Sequence, residues 1–80
     1  MNIDVKLVGI FQIDKFKQKS CVYPTGTRAQ DVFDDLQLPK QHLGIVLING
    51  LHASSDTLLS EGDRLVLLPL LGGGWKFRQN

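Results

Sequence analysis

The sequence has a single cysteine, no long apolar run and no excess of charge of either sign. Cys21 alone cannot form an internal disulfide, and a lone thiol is typical of a reducing compartment. The longest apolar runs, 44–48 and 65–71, are far too short to cross a bilayer. Residues 1–6 do not resemble a signal peptide. We therefore expect a cytoplasmic protein without a membrane partner.

Chemistry-bearing motifs are also scarce. Nine basic and eight acidic residues are scattered along the chain, for a net charge of +1, so a nucleic-acid-binding stripe is not expected. There is no phosphate loop and no nucleophile elbow. Cys21, His42 and His52 do not have the spacing of metal ligands. In a single domain of 80 residues we expect no catalytic residue, no metal and no bound cofactor.

The first part of the chain reads as a β-hairpin. Polar and apolar residues alternate over 3–7, which predicts a strand with one face in the core. Apolar residues continue through 8–11 and extend this strand, covering it on both sides for part of its length. The polar segment 12–18 predicts a turn, and 20–23 predicts the returning strand.

A helix is predicted next. Thr27 and Gln30 have the spacing of a capping box, in which the side chain of each residue accepts a hydrogen bond from the backbone N–H of the other. A single apolar stripe follows at helical spacing. Its members are Ala29, Val32, Phe33 and Leu36. Pro39 is expected to end the helix, and 37–43 to form a loop.

The remaining strands complete an α+β fold. The β-branched run 45–48 does not alternate, which indicates a strand buried in the sheet interior. Asn49-Gly50 predicts a tight turn to a short strand at 51–53. Residues 64–68 form the last strand. The order β-β-α-β-β-β predicts a roll, with one helix across one face of a mixed sheet of four to five strands.

Four segments carry a resemblance to a known family. They are Val46-Leu47-Ile48-Asn49-Gly50, Leu59-Ser60-Glu61-Gly62-Asp63, Arg64–Leu68 and Pro69-x-x-Gly72-Gly73. In this order and spacing, the chain resembles the MoaD/ThiS sulfur-carrier proteins over essentially its whole length to Gly74. The resemblance implies a ubiquitin-like β-grasp domain at 1–71, followed by a flexible glycine tail with an extension at 72–80.

The resemblance also implies a mechanism. In such carriers a partner activating enzyme uses ATP to adenylate the C-terminal glycine carboxylate, and sulfur then replaces AMP to give a thiocarboxylate. A sulfur-accepting synthase of the molybdopterin or thiamine type receives the sulfur, so the carrier is a protein substrate and not an enzyme. Gly73 and Gly74 are the candidate acceptors, with Gly72 in the tail. Glycine lacks Cβ, so such a tail can pass through a narrow channel.

A carrier must also dock on its partners. On the last strand Val66 and Leu68 face away from Leu65 and Leu67, and an apolar patch on the sheet face opposite the helix would mark the partner site. The alternative is that the protein's own loops cover both faces. The predicted partner-binding residues are Val66, Leu68, Pro69, Leu70 and Leu71.

The extension Trp75–Asn80 departs from the family pattern, because a carbonyl in a peptide bond cannot be adenylated. One hypothesis is that a processing peptidase removes it, exposing Gly73 or Gly74. Another is a non-covalent ubiquitin-like interaction module that has lost the carrier role. A protein modifier that joins its glycine to a lysine is a weaker third. An artificial extension is disfavoured, because the segment resembles no common purification tag.

Overall fold

A computed structural model of the chain describes residues 1–70, which form a five-stranded mixed sheet and one α-helix. The elements are β1 (Asn2–Leu7), β2 (Gln18–Val22), α1 (Ala29–Asp35), β3 (Leu43–Ile48), β4 (Leu51–Ala53) and β5 (Arg64–Pro69). Short 3₁₀ turns occupy Gly9–Gln12 and Lys40–His42. The strand order is β2-β1-β5-β3-β4, with β1 and β5 parallel and the other pairs antiparallel. The predicted element order and roll are confirmed.

One face of this sheet holds the core. Twelve apolar side chains of the described residues are buried there, and the central strands β1, β3 and β5 supply half of them. They are Ile3, Val5, Leu7, Phe11, Ala29, Val32, Phe33, Leu38, Val46, Leu59, Leu65 and Leu67. The alternation of β1 and β5 therefore has the predicted effect, because every second residue faces α1. In residues 1–70 no helix is long and apolar enough to cross a membrane.

The start of α1 differs from the predicted capping box. The hydroxyl of Thr27 donates to the carbonyl of Pro24 at 2.7 Å, so it does not cap the helix. Arg28 is the N-cap residue, and its backbone N–H donates to the Asp31 carboxylate at 2.8 Å. Gln30 instead donates to Asp34. The cap lies one residue later than predicted because Thr27 is buried in the preceding turn.

The helix also ends earlier than Pro39. Leu36 is the C-cap residue, and Gln37 has a left-handed φ of 55°, which stops the helical ladder. Leu36 is therefore only half-buried at the end of the stripe, while Leu38 returns to the core. Pro39 precedes the 3₁₀ turn within the predicted loop.

The predicted extension of β1 through 8–11 is wrong. Gly9 has a φ of 61° and turns the chain into a 3₁₀ turn directly after the strand. This turn inserts Phe11 into the core, where its ring meets Phe33 edge-to-face with 5.6 Å between the centroids. The apolar run reflects a turn packed on the end of the core and not a strand covered on both sides.

β3 lies inside the sheet between β5 and β4, as predicted, but only one of its faces is packed. Val46 is in the core, whereas Ile45 is 38% exposed on the opposite face. The absence of alternation therefore reflects apolar residues on both faces and not burial on both. The turn predicted at Asn49-Gly50 is confirmed, with φ values of 53° and 82°.

Replacing Phe33 by alanine should lower the free energy of unfolding by about 3–5 kcal/mol, because the substitution removes a buried ring that packs on Phe11. Urea unfolding of both proteins measures the loss. Phe16→Ala is the matched control, since Phe16 is only half-buried and should cost clearly less. Equal losses for the two variants would contradict the assignment of Phe33 to the core.

Candidate functional site

The two faces of β5 have different environments. Leu65 and Leu67 are fully buried against α1, and Val66 and Leu68 lie half-buried on the opposite side of the sheet. This is the orientation that alternation predicts for the last strand. The loops of the described residues leave Val66 and Leu68 partly accessible.

The neighbouring strand β3 enlarges this apolar surface. Ile45 is directly opposite Leu68, and Leu47 is opposite Val66, so the four side chains share one side of the sheet. We call these four residues the open apolar face. Sequence analysis missed Ile45 and Leu47. Both residues belong to the non-alternating apolar run 45–48. This run indicates apolar side chains on both faces of the strand, but it does not distinguish a buried second face from an exposed one.

Polar side chains border the open apolar face. Lys6 pairs with Val66 on one flank, and His52 pairs with Leu47 on the other. Further along the sheet, the Asp4 carboxylate lies 3.7 Å from the Arg64 guanidinium and would contribute little to stability, because the pair is accessible to water. An apolar centre with a polar rim is the usual composition of a protein-binding surface.

The chain leaves the sheet at the end of this face. Pro69 is half-buried, and Leu70 is 40% exposed. The Leu70 backbone N–H donates to the His42 carbonyl oxygen at 2.6 Å. Leu71, Gly72, Gly73 and Gly74 lie outside the described residues, as do the predicted domain boundary at 71/72 and the extension. In the sequence, the predicted acceptor glycines come three and four residues after Leu70.

The described residues offer little catalytic chemistry. Within 1–70 no three His, Cys, Asp or Glu side chains are grouped so that they could hold a metal ion. His42 lies beside the exit, and its Nδ1 atom is buried without a hydrogen-bond partner in that part of the chain. His52 is exposed at the rim of the face. What the geometry of residues 1–70 offers is an apolar surface beside the point where the chain leaves the sheet.

Cys21 lies on the core side of β2, opposite Ile3, and is half-buried. Burial raises the pKa of its thiol, and the charges of Asp35 and Asp4 act in the same direction, while Lys19 lowers it. The thiol is therefore protonated at neutral pH and is a weak nucleophile. Cys21 thus lies in the strand predicted at 20–23 and packs against the core.

Comparison with known proteins adds independent information. The ThiS family model matches residues 8–74. A putative molybdopterin converting factor subunit 1 from Pyrococcus furiosus superposes with a TM-score of 0.72 at 20% identity, covering 89% of this chain and 99% of that one. SAMP1 from Haloferax volcanii gives 0.72 at 21% identity, covering 92% and 100%. The fold is thus the ubiquitin-like β-grasp roll. No curated protein matches significantly in sequence.

Cys21 should react slowly with iodoacetamide at pH 8 in the folded protein, because its raised pKa leaves little thiolate. The same chain unfolded in urea is the control, since its thiol has an ordinary pKa and full access. The alkylation rate, followed by mass spectrometry, should rise clearly on unfolding. Equal rates in the two states would contradict the protected environment.

Proposed function

The chain belongs to the ThiS family, and from this premise we propose that it is a sulfur-carrier protein that acts through a C-terminal glycine thiocarboxylate. The observation that supports this most directly is the position of the open apolar face. The face ends where the chain leaves the sheet at Leu70, three residues before Gly73. A partner that binds the face therefore has the reactive glycine within reach.

The proposed reaction is carried out by partner enzymes. A carboxylate oxygen of the terminal glycine attacks the α-phosphorus of ATP, and pyrophosphate leaves. A persulfide sulfur then attacks the acyl carbon and displaces AMP, giving an acyl disulfide. A second thiol of the partner attacks the cysteine sulfur of this acyl disulfide, the sulfur farther from the acyl carbon, so a disulfide forms between the two partner cysteines and the thiocarboxylate is released. The carrier supplies only the acyl carbon and binds no cofactor itself.

The division between domain and tail fits this role. A carboxylate becomes a good electrophile only when AMP is its leaving group, so the catalytic groups belong to the activating enzyme. The domain provides a preformed surface, which lowers the entropic cost of docking. Its four apolar side chains form an apolar centre within a polar rim, the usual composition of a protein-binding surface. The same face would then present the tail to the synthase that accepts the sulfur.

The extension has to be removed before this chemistry can occur. Because the sequence continues from Gly74 into Trp75–Asn80, the glycine carbonyl is in a peptide bond. We propose that a peptidase cleaves after Gly73 or Gly74. The spacing from Pro69 favours Gly73, while the position before Trp75 favours Gly74.

The second candidate is a non-covalent interaction module. It is favoured by the extension itself, in which Trp75 and Phe77 alternate with Lys76 and Arg78. Such a pattern suits a segment that adds a strand to a partner sheet. In this case the full-length chain would be the functional form, and the glycines would be a linker.

Intact mass after expression in the native host distinguishes the two candidates. A carrier should lose Trp75–Asn80 and, with ATP and the activating enzyme, gain the mass of one oxygen-to-sulfur exchange. Deletion of 72–74 is the control: charging should be abolished and thermal unfolding nearly unchanged, because the described core lies within residues 3–67. A full-length chain that remains inert would favour the interaction module.

Replacing Ile45 by aspartate should raise the KM for charging about 10–100-fold, because docking on the open apolar face would then bury an unpaired charge. The value of kcat should change little. Leu51→Asp is the matched control, since Leu51 is 73% exposed and pairs with Ile48 on the helix side of the sheet. Equal KM changes for both variants would argue against docking through this face.

A further inference from the structure

The pairing of β3 with β5 has an irregularity close to the exit of the chain. Ile45 is opposite Leu68, but Leu43 is opposite Pro69, so two steps along β3 match one step along β5. Gly44 is the extra residue of this β-bulge. Bulges bend a strand and re-aim its end, and they are common beside functional sites.

Gly44 is required here by space and not by its backbone conformation. A Cβ added at this position would lie 2.8 Å from both the backbone nitrogen and the Cβ of Leu70, and 3.1 Å from its Cα. Its φ is outside the left-handed region that favours glycine. Because two of these neighbours are backbone atoms, any larger residue would push the chain at Leu70 away from β3.

The close approach of Gly44 and Leu70 permits a hydrogen bond at the exit of the chain. Because Gly44 has no Cβ, the Leu70 N–H can donate to the His42 carbonyl oxygen at 2.6 Å, one residue beyond the end of β5. We call the bulge at Gly44 and this hydrogen bond the exit clamp. It attaches the chain, one residue past the end of β5, to the 3₁₀ turn that precedes β3.

We propose that the exit clamp fixes the point and direction in which the chain leaves the open apolar face, and that Gly44 is a positioning residue for the acyl glycine. This inference rests on the proposed carrier function. Gly73 is three residues after Leu70, and these three steps span at most about 11 Å. Releasing Pro69 and Leu70 would lengthen the free segment to about 18 Å and leave its direction undefined.

The effect on adenylation is large, because the carboxylate of the terminal glycine must be placed against the α-phosphorus of ATP in the partner's preformed active site. A misplacement of about 1 Å in such a reaction can cost about 100-fold in rate. Docking, in contrast, depends on the open apolar face, whose pairs Ile45–Leu68 and Leu47–Val66 lie within the regular part of the ladder, beside the bulge and not in it. A clamp defect should therefore lower kcat and leave KM largely unchanged.

The first experiment tests the clamp in the full-length chain by amide hydrogen exchange. In Gly44→Ala the Leu70 amide should lose its protection while Val66 and Leu67 keep theirs. Gly50→Ala is the matched control, because Gly50 has a φ of 82° and no atom within 4 Å of an added Cβ. This control is strained at the far turn and should leave the Leu70 amide protected. Retained protection of Leu70 in Gly44→Ala would overturn the clamp.

The second experiment measures charging of chains that end at Gly73. We expect Gly44→Ala to lower kcat at least about tenfold, with KM within about twofold of the unsubstituted chain. Gly50→Ala should retain both values. If the unsubstituted chain is not charged, the carrier function fails while the exchange result still decides the clamp. If it is charged and Gly44→Ala matches it in kcat, only the positioning role fails.

A second pair of variants covers the case in which Gly44→Ala does not fold. Leu70→Pro removes the N–H donor without changing the bulge, and Leu70→Ala keeps the donor while shortening the same side chain. The proline variant should have a kcat at least about tenfold below that of the alanine variant. Equal kcat values for this pair would overturn the inference.

Discussion

The parallel pairing of β1 with β5 is the constraint on which the rest of the structure depends. It joins residues 4–7 to residues 64–67 and places the last strand in the middle of the sheet. One face of β5 then supplies Leu65 and Leu67 to the core. The other supplies Val66 and Leu68 to the open apolar face. The C-terminal segment leaves from between two neighbours instead of from a free edge, so its starting point is held on a rigid element.

Much of the fold could be predicted from local patterns. Alternation over residues 3–7 and the Asn49-Gly50 pair each depend on neighbours in sequence, and both gave the correct element. The capping box at Thr27 and the extended strand at 8–11 were wrong for different reasons. At Thr27 a local hydrogen bond to the Pro24 carbonyl engages the hydroxyl in the preceding turn. At 8–11 a tertiary contact, the packing of Phe11 on Phe33, decides the conformation.

The candidate site was less predictable than the fold. The orientation of Val66 and Leu68 follows from alternation within one strand, and sequence alone indicated it. Ile45 and Leu47 join them only because β3 pairs with β5 in a particular register. Gly44 carried no recognisable signal, since its role depends on a close approach of Leu70 that no local pattern encodes. Long-range register therefore defines both the extent of the surface and its boundary.

The central place of β5 also has a consequence for biosynthesis. The ribosome makes β5 after the other four strands of residues 1–70. Its neighbours in the sheet, β1 and β3, are therefore synthesised before the strand that pairs with both. Until residues 64–69 emerge, the nascent chain has neither a complete sheet nor an ordered attachment for its final segment. A chain truncated before residue 64 would thus lack Val66 and Leu68, which are half of the open apolar face. Synthesis order by itself therefore couples completion of the sheet to formation of this surface.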